Sequence, residues 1–207
     1  MKELLNGLLT GLTLQLAIGP VFFFIINLTL QKTIFDGFAC VLAVTLVDYF
    51  YITLSILGIG KLLENPKVKK IFGVISSVVL VLFGLSILKG LFESSTSNAV
   101  ISNTSNILTS FTSVFLITIS SPLTIVFFTS LFTAKVVEYN YTKKELTLFG
   151  LGTGLATFLF MGTSVILFSL IKETVPLSLM QVLNGIVGVL LVGYGIQRLY
   201  KNLKQKS

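Results

Sequence analysis

The chain has 207 residues, 54% of them apolar and 11% charged, with a net charge of +7, one cysteine and no histidine. Soluble domains carry roughly 25% charged residues, so a soluble core is excluded and one compact integral membrane domain is implied. A His-based metal site and His catalysis are excluded, and Cys40 cannot form an internal disulfide.

The apolar runs are continuous and do not alternate, which favours helices over a barrel. A hydrocarbon core of roughly 30 Å needs about 20 apolar residues as helix, and six windows meet that length. The first runs from about Leu4 to Leu30. It is too long for a signal peptide, and no small-x-small cleavage site precedes a polar sequence. Pro20 has no N–H, so the carbonyl of Leu16 loses its helical partner. The segment after Gly19-Pro20 starts a fresh half-helix. Its leading N–H groups, near Val21 to Phe23, point towards the midplane and attract carboxylates. Gln15 precedes the break and Asn27 follows it by two turns.

The second window, about Phe38 to Leu62, holds Asp48, the only ionisable acid or base in the middle of any apolar stretch. A charge at that depth costs roughly 2.5–3.5 kcal/mol on insertion scales and usually marks a substrate or ion path. Thr45 and Tyr51 lie three residues either side and could share its helix face. Two jobs fit Asp48: proton coupling, or counter-charge to a substrate ammonium. The third window runs from about Ile71 to Phe92. A Ser/Thr/Asn-rich stretch, about 93–107, then reads as a flexible linker dividing the six spans into two threes.

The fourth window, about Leu108 to Ala134, contains Ser120-Ser121-Pro122, where Pro122 deprives the Thr118 carbonyl in the same way. The fifth, Leu146 to Ile171, and the sixth, Leu179 to Tyr200, carry Gly150, Gly152, Gly154, Gly185, Gly188, Gly193 and Gly195, which suit close helix packing. Asn184, early in the sixth, is expected to bond between helices.

Basic residues in the loops set orientation. Twelve fall on one side (Lys2, the Lys61 to Lys70 group, the Lys135 to Lys144 group, and Arg198 onwards) and only Lys32, Lys89 and Lys172 on the other. Both termini are then cytoplasmic. The positive charge reads as loop charge facing an anionic leaflet, not as nucleic-acid binding. The halves also resemble each other. Gly19-Pro20 and Asn27 match Ser121-Pro122 and Thr129, and the stretch around Gly84 matches that around Gly193. The second and fifth windows share little beyond apolarity. Three spans per half is odd, so the repeat is inverted, as in many secondary transporters. The expected fold is an all-α integral membrane protein with six transmembrane helices as two inverted three-helix repeats, about 1–92 and 108–207.

These residues resemble the LysE/RhtB amino-acid exporter family: the small six-helix chain, Ile18-Gly19-Pro20 in the first span, Thr45-Leu46-Val47-Asp48 in the second and Ser121-Pro122 in the fourth. The resemblance implies export of amino acids or related small metabolites, driven by a proton or potential gradient, and it allows a homodimer. The expected function is a bacterial inner-membrane exporter of small zwitterions working by alternating access. The half-helix ends after Gly19-Pro20 and Ser121-Pro122 would receive the substrate carboxylate. Asp48 would take the ammonium or the coupling proton, helped by Gln15, Thr45 and Ser120. No cofactor and no metal site is expected. The competing readings are a heavy-metal or other cation exporter, for which Cys40 and Asp48 are few ligands, and a non-transport membrane scaffold. An enzyme is not expected, because no nucleophile–base pair is visible.

Overall fold

The computed structural model describes residues 1–16, 19–58, 66–93, 106–174 and 176–204. Among them are eight α-helices, one short 3-10 turn and no strand. The helices are α1 Lys2–Gln15, α2 Pro20–Gln31, α3 Ile34–Ile56, α4 Pro66–Glu93, α5 Ile107–Ile119, α6 Pro122–Tyr139, α7 Lys143–Ile171 and α8 Leu177–Lys204.

The prolines act as expected. α1 and α2 meet at 81° and α5 and α6 at 61°, each across a break of a few residues. Pro20 and Pro122 both occupy the first helical turn, where a missing N–H costs nothing, after extended Gly19 and Ser121. The Thr118 carbonyl is not left bare, because it accepts the N–H of Ser121 at 3.1 Å in a tighter turn. Ala17 and Ile18 of the first break lie outside the described residues, as do Lys61 and residues 94–105 of the expected linker.

Three helices are long and apolar enough to cross a membrane, in the stretches Ile34–Ile56, Lys143–Ile171 and Gln181–Lys201, and each bent pair adds one more when counted as a single span. α4 contributes a shorter apolar stretch, Ser77–Lys89. The second expected window overshoots: α3 ends at Ile56, and Gly58 takes a positive φ of 75° that ends the helical path.

α3 and α7 share a start signal. Thr33 accepts the Asp36 N–H while the Asp36 carboxylate accepts the Thr33 N–H, and Thr142 and Glu145 do the same for α7. Each is a capping box that satisfies leading N–H groups reciprocally. Asp36 is also held by the Ser110 hydroxyl at 2.7 Å, which ties the start of α3 to α5.

α1 packs along α7, α5 along α3, α4 along α8, and α3 against α7. Glycines set the approaches of α1 and α3 to α7 and of α4 to α8, as expected where lipid supplies no hydrophobic drive between helices. Side chains added at Gly7 and Gly152 would overlap the backbone carbonyls of Phe149 and Leu4. Gly84 faces Gly188 and Val192, and Gly195 faces Ser77 and Val81. Gly193 meets nothing within 4 Å, so the expected match of Gly84 with Gly193 does not describe this contact. Matching Gly84 with Gly195 makes the contacts reciprocal, since Val81 and Val192 then exchange places along with Ser77 and Gly188.

Large apolar side chains face outwards. Leu42, Leu46 and Phe50 lie four apart along α3, and Leu151, Leu155 and Leu159 along α7. The inner face of α3 carries Val41, Val44, Thr45 and Asp48, all buried. An apolar surface around a partly polar interior is the pattern of a membrane protein, with polar groups turned to the bundle interior.

Candidate functional site

A cavity of about 570 Å³ opens between the two breaks. α1 supplies Gly11, Leu14 and Gln15; α2 supplies Pro20 and Val21; α3 supplies Val44 and Asp48. Ile117 and Thr118 come from α5, Ser121 from the second break, and Thr124, Phe127 and Phe128 from α6. Thr153, Thr157 and Met161 of α7, Leu80 of α4 and Tyr194 of α8 complete the lining. Every helix of the bundle thus reaches one space. That volume lies within the roughly 300–1,000 Å³ range of small-molecule sites.

Asp48 is 6% exposed. Its carboxylate accepts the Thr157 hydroxyl at 2.8 Å, and the Thr157 oxygen accepts the Gln15 side-chain N–H at 2.6 Å. One chain of hydrogen bonds therefore runs from the last residue of α1 through α7 to α3. Among the described residues lining the cavity there is no lysine, arginine or second carboxylate. The site offers one acid, several hydroxyls, one amide and aromatic walls.

The structure brings Asp48, Gln15, Pro20 and Ser121 to this cavity, and Pro122 stands next in the chain as the first residue of α6. Gly19, Thr45 and Ser120 are outside the lining. Thr45 donates to the Val41 carbonyl at 2.8 Å and Ser120 to the Leu116 carbonyl at 2.6 Å, so both hydroxyls serve their own helices. The Tyr51 hydroxyl donates to the carbonyl of Ile119, the last residue of α5. Asn27 and Gln31 of α2 both donate to the Asn184 side chain of α8, an interhelical link away from the cavity. Cys40 is buried elsewhere and donates to the Ser110 carbonyl at 3.6 Å.

Thr157, Thr153, Thr118, Thr124 and Tyr194 also line the site, and of these the sequence marks only Thr118, through its carbonyl ahead of Pro122. One signal pointed to Thr157. Asp48 lies fifteen residues after Thr33, and Thr157 lies fifteen residues after Thr142. Counting from the matched capping boxes makes them the same position of two helices.

The family model described as LysE type translocator matches residues 12–202. A Bacillus subtilis (strain 168) protein named "Putative amino acid efflux protein YcgF" is 26% identical over 208 residues, covering 99% of each chain. No solved structure matches the chain significantly.

Proposed function

The chain belongs to the LysE type translocators, a family of transporters and not of enzymes, and from that premise we propose that it exports amino acids or similar small zwitterions by alternating access. The observation that carries the reading is the meeting of Asp48 with both helix breaks on one cavity. In this reading the half-helix ends at Pro20 and Pro122 take the substrate carboxylate, because helix N-termini carry a partial positive charge. Asp48 takes the ammonium or the coupling proton. With no lysine or arginine on the lining, a substrate bearing a second carboxylate would have no counter-charge there. The full-length relative named for amino acid efflux supports the substrate class.

The proposed architecture is six crossings arranged as two inverted repeats, with each bent pair counted as one crossing. Three features support it. The packing of α1 on α7 has its counterpart in that of α5 on α3. The capping boxes Thr33/Asp36 and Thr142/Glu145 stand at matched helix starts. Asp48 and Thr157, equivalent by that register, bond to each other, a contact that a two-fold relation between α3 and α7 places on its axis. The proposed location is the bacterial inner membrane with both termini cytoplasmic, supported by the loop-charge asymmetry.

Nothing about Cys40 favours the metal-export alternative, since its sulfur is held away from Asp48 and the cavity. The test is counterflow in proteoliposomes preloaded with single unlabelled amino acids and given the radiolabelled form outside. Transient accumulation of one or a few neutral amino acids is expected. Absence of counterflow for the whole panel, from protein shown to be folded, would overturn the substrate class.

A further inference from the structure

We propose that Thr157 is a positioning residue that carries the charge state of Asp48 to the break between α1 and α2, by reversing the hydrogen-bond chain Asp48–Thr157–Gln15. The inference rests on the reading of Asp48 as the coupling group and deepens it.

The first observation is what Thr157 does not do. A buried helical threonine normally donates to the carbonyl four residues earlier. Thr45, Thr118, Thr129 and Thr153 all do so, at 2.8–2.9 Å. Thr157 instead sends its hydrogen across to Asp48 at 2.8 Å and accepts from Gln15 at 2.6 Å. Its hydroxyl therefore joins two other helices and leaves its own.

The second observation is chemical. An ionised carboxylate only accepts, so Thr157 must donate to it, and the Thr157 oxygen is then free to accept the Gln15 N–H. A protonated Asp48 gains an O–H donor, and the hydroxyl of Thr157 is the bonded neighbour placed to receive it. The Thr157 hydrogen then turns to Gln15, whose amide presents its oxygen in place of its nitrogen. One proton arriving at α3 thus turns over a side chain on the last residue of α1, next to the break. The proton stays on Asp48 throughout, and no bond forms or breaks beyond its O–H.

The third observation is isolation. Thr157 of α7 donates to Asp48, and Gln15 of α1 and Thr153 of α7 line the same cavity. The rest of the lining, from α2, α4, α5, α6 and α8, adds one titratable side chain, Tyr194. No lysine, arginine or glutamate among the lining residues competes to answer the charge on Asp48.

The chain contains no tryptophan, so Leu16→Trp places a single reporter immediately after Gln15. Its fluorescence in lipid nanodiscs, followed from mildly acidic to mildly alkaline pH, is expected to show a one-proton transition. Asp48→Asn and Thr157→Val should abolish it, and Thr157→Ser should restore it. Gln15→Leu, expected to lose the transition too, serves if Thr157→Val fails to fold by circular dichroism. A transition that survives Thr157→Val or Gln15→Leu but disappears in Asp48→Asn overturns the relay and leaves the role of Asp48 standing. A transition that survives Asp48→Asn overturns both. A reporter that never titrates overturns the relay, while amino-acid counterflow in the same protein would still uphold the transport reading.

Discussion

Asp48 is bonded to a neutral hydroxyl rather than to a cation, and that sets what it can do. An acid paired with arginine is committed to its partner; one held by a threonine hydroxyl is open to a substrate ammonium or a proton. Asp48→Glu keeps the charge but drives an added methylene into Thr157, so turnover should fall by roughly tenfold, the factor that about 1.4 kcal/mol of misplacement costs. Initial rates of counterflow would register it, and an unchanged rate would mean the position of the carboxylate is unimportant. Cys40→Ala gives the opposite expectation. Its thiol donates to the Ser110 carbonyl within the core, away from the cavity, so amino-acid counterflow and cadmium resistance of the host should both stay at the parent level. A fall in cadmium resistance would revive the metal-export alternative.

The helices depend on two kinds of small contact. Gly7→Leu or Gly152→Leu would force α1 and α7 apart at a backbone carbonyl, and overpacking of this kind costs about 1–3 kcal/mol or more. A lower melting temperature in detergent is the expected readout, whereas Gly193→Ala, with open space around it, should leave that temperature unchanged. Thr142→Ala removes one half of the capping box of α7 and should cost about 1 kcal/mol. Both breaks and the buried acid were legible because proline geometry and the cost of a buried charge act locally, whereas the second window runs past the end of α3 at Ile56. Thr157 was harder to see, because it is one of four threonines in α7 and nothing sets it apart until the helix opposite it is known. The capping boxes were in plain view as Thr33-x-x-Asp36 and Thr142-x-x-Glu145, yet comparing the second and fifth windows by apolarity hid them. The shift from Gly193 to Gly195 has a similar cause. Glycines recur in both helices, and under the proposed repeat the reciprocal contacts between α4 and α8 favour Gly195 as the counterpart of Gly84.

For the whole molecule, the two breaks and Asp48 would form a site that either side of the membrane can reach in turn, with the halves rocking about the contact of α3 with α7. The proposed orientation places both termini in the cytoplasm, so a tag at either terminus should be digested by protease in inside-out vesicles and protected in intact spheroplasts. Digestion of one terminus alone would reduce the crossings to an odd number and end the inverted-repeat proposal. Transport by Asp48→Asn tests the mechanism most directly. Purified variant and parent would be compared for helix content and melting temperature, then for radiolabelled amino-acid efflux from proteoliposomes under an imposed pH gradient. The variant is expected to fold as the parent does and to show no gradient-driven efflux. Efflux at the parent rate from that variant would contradict the mechanism.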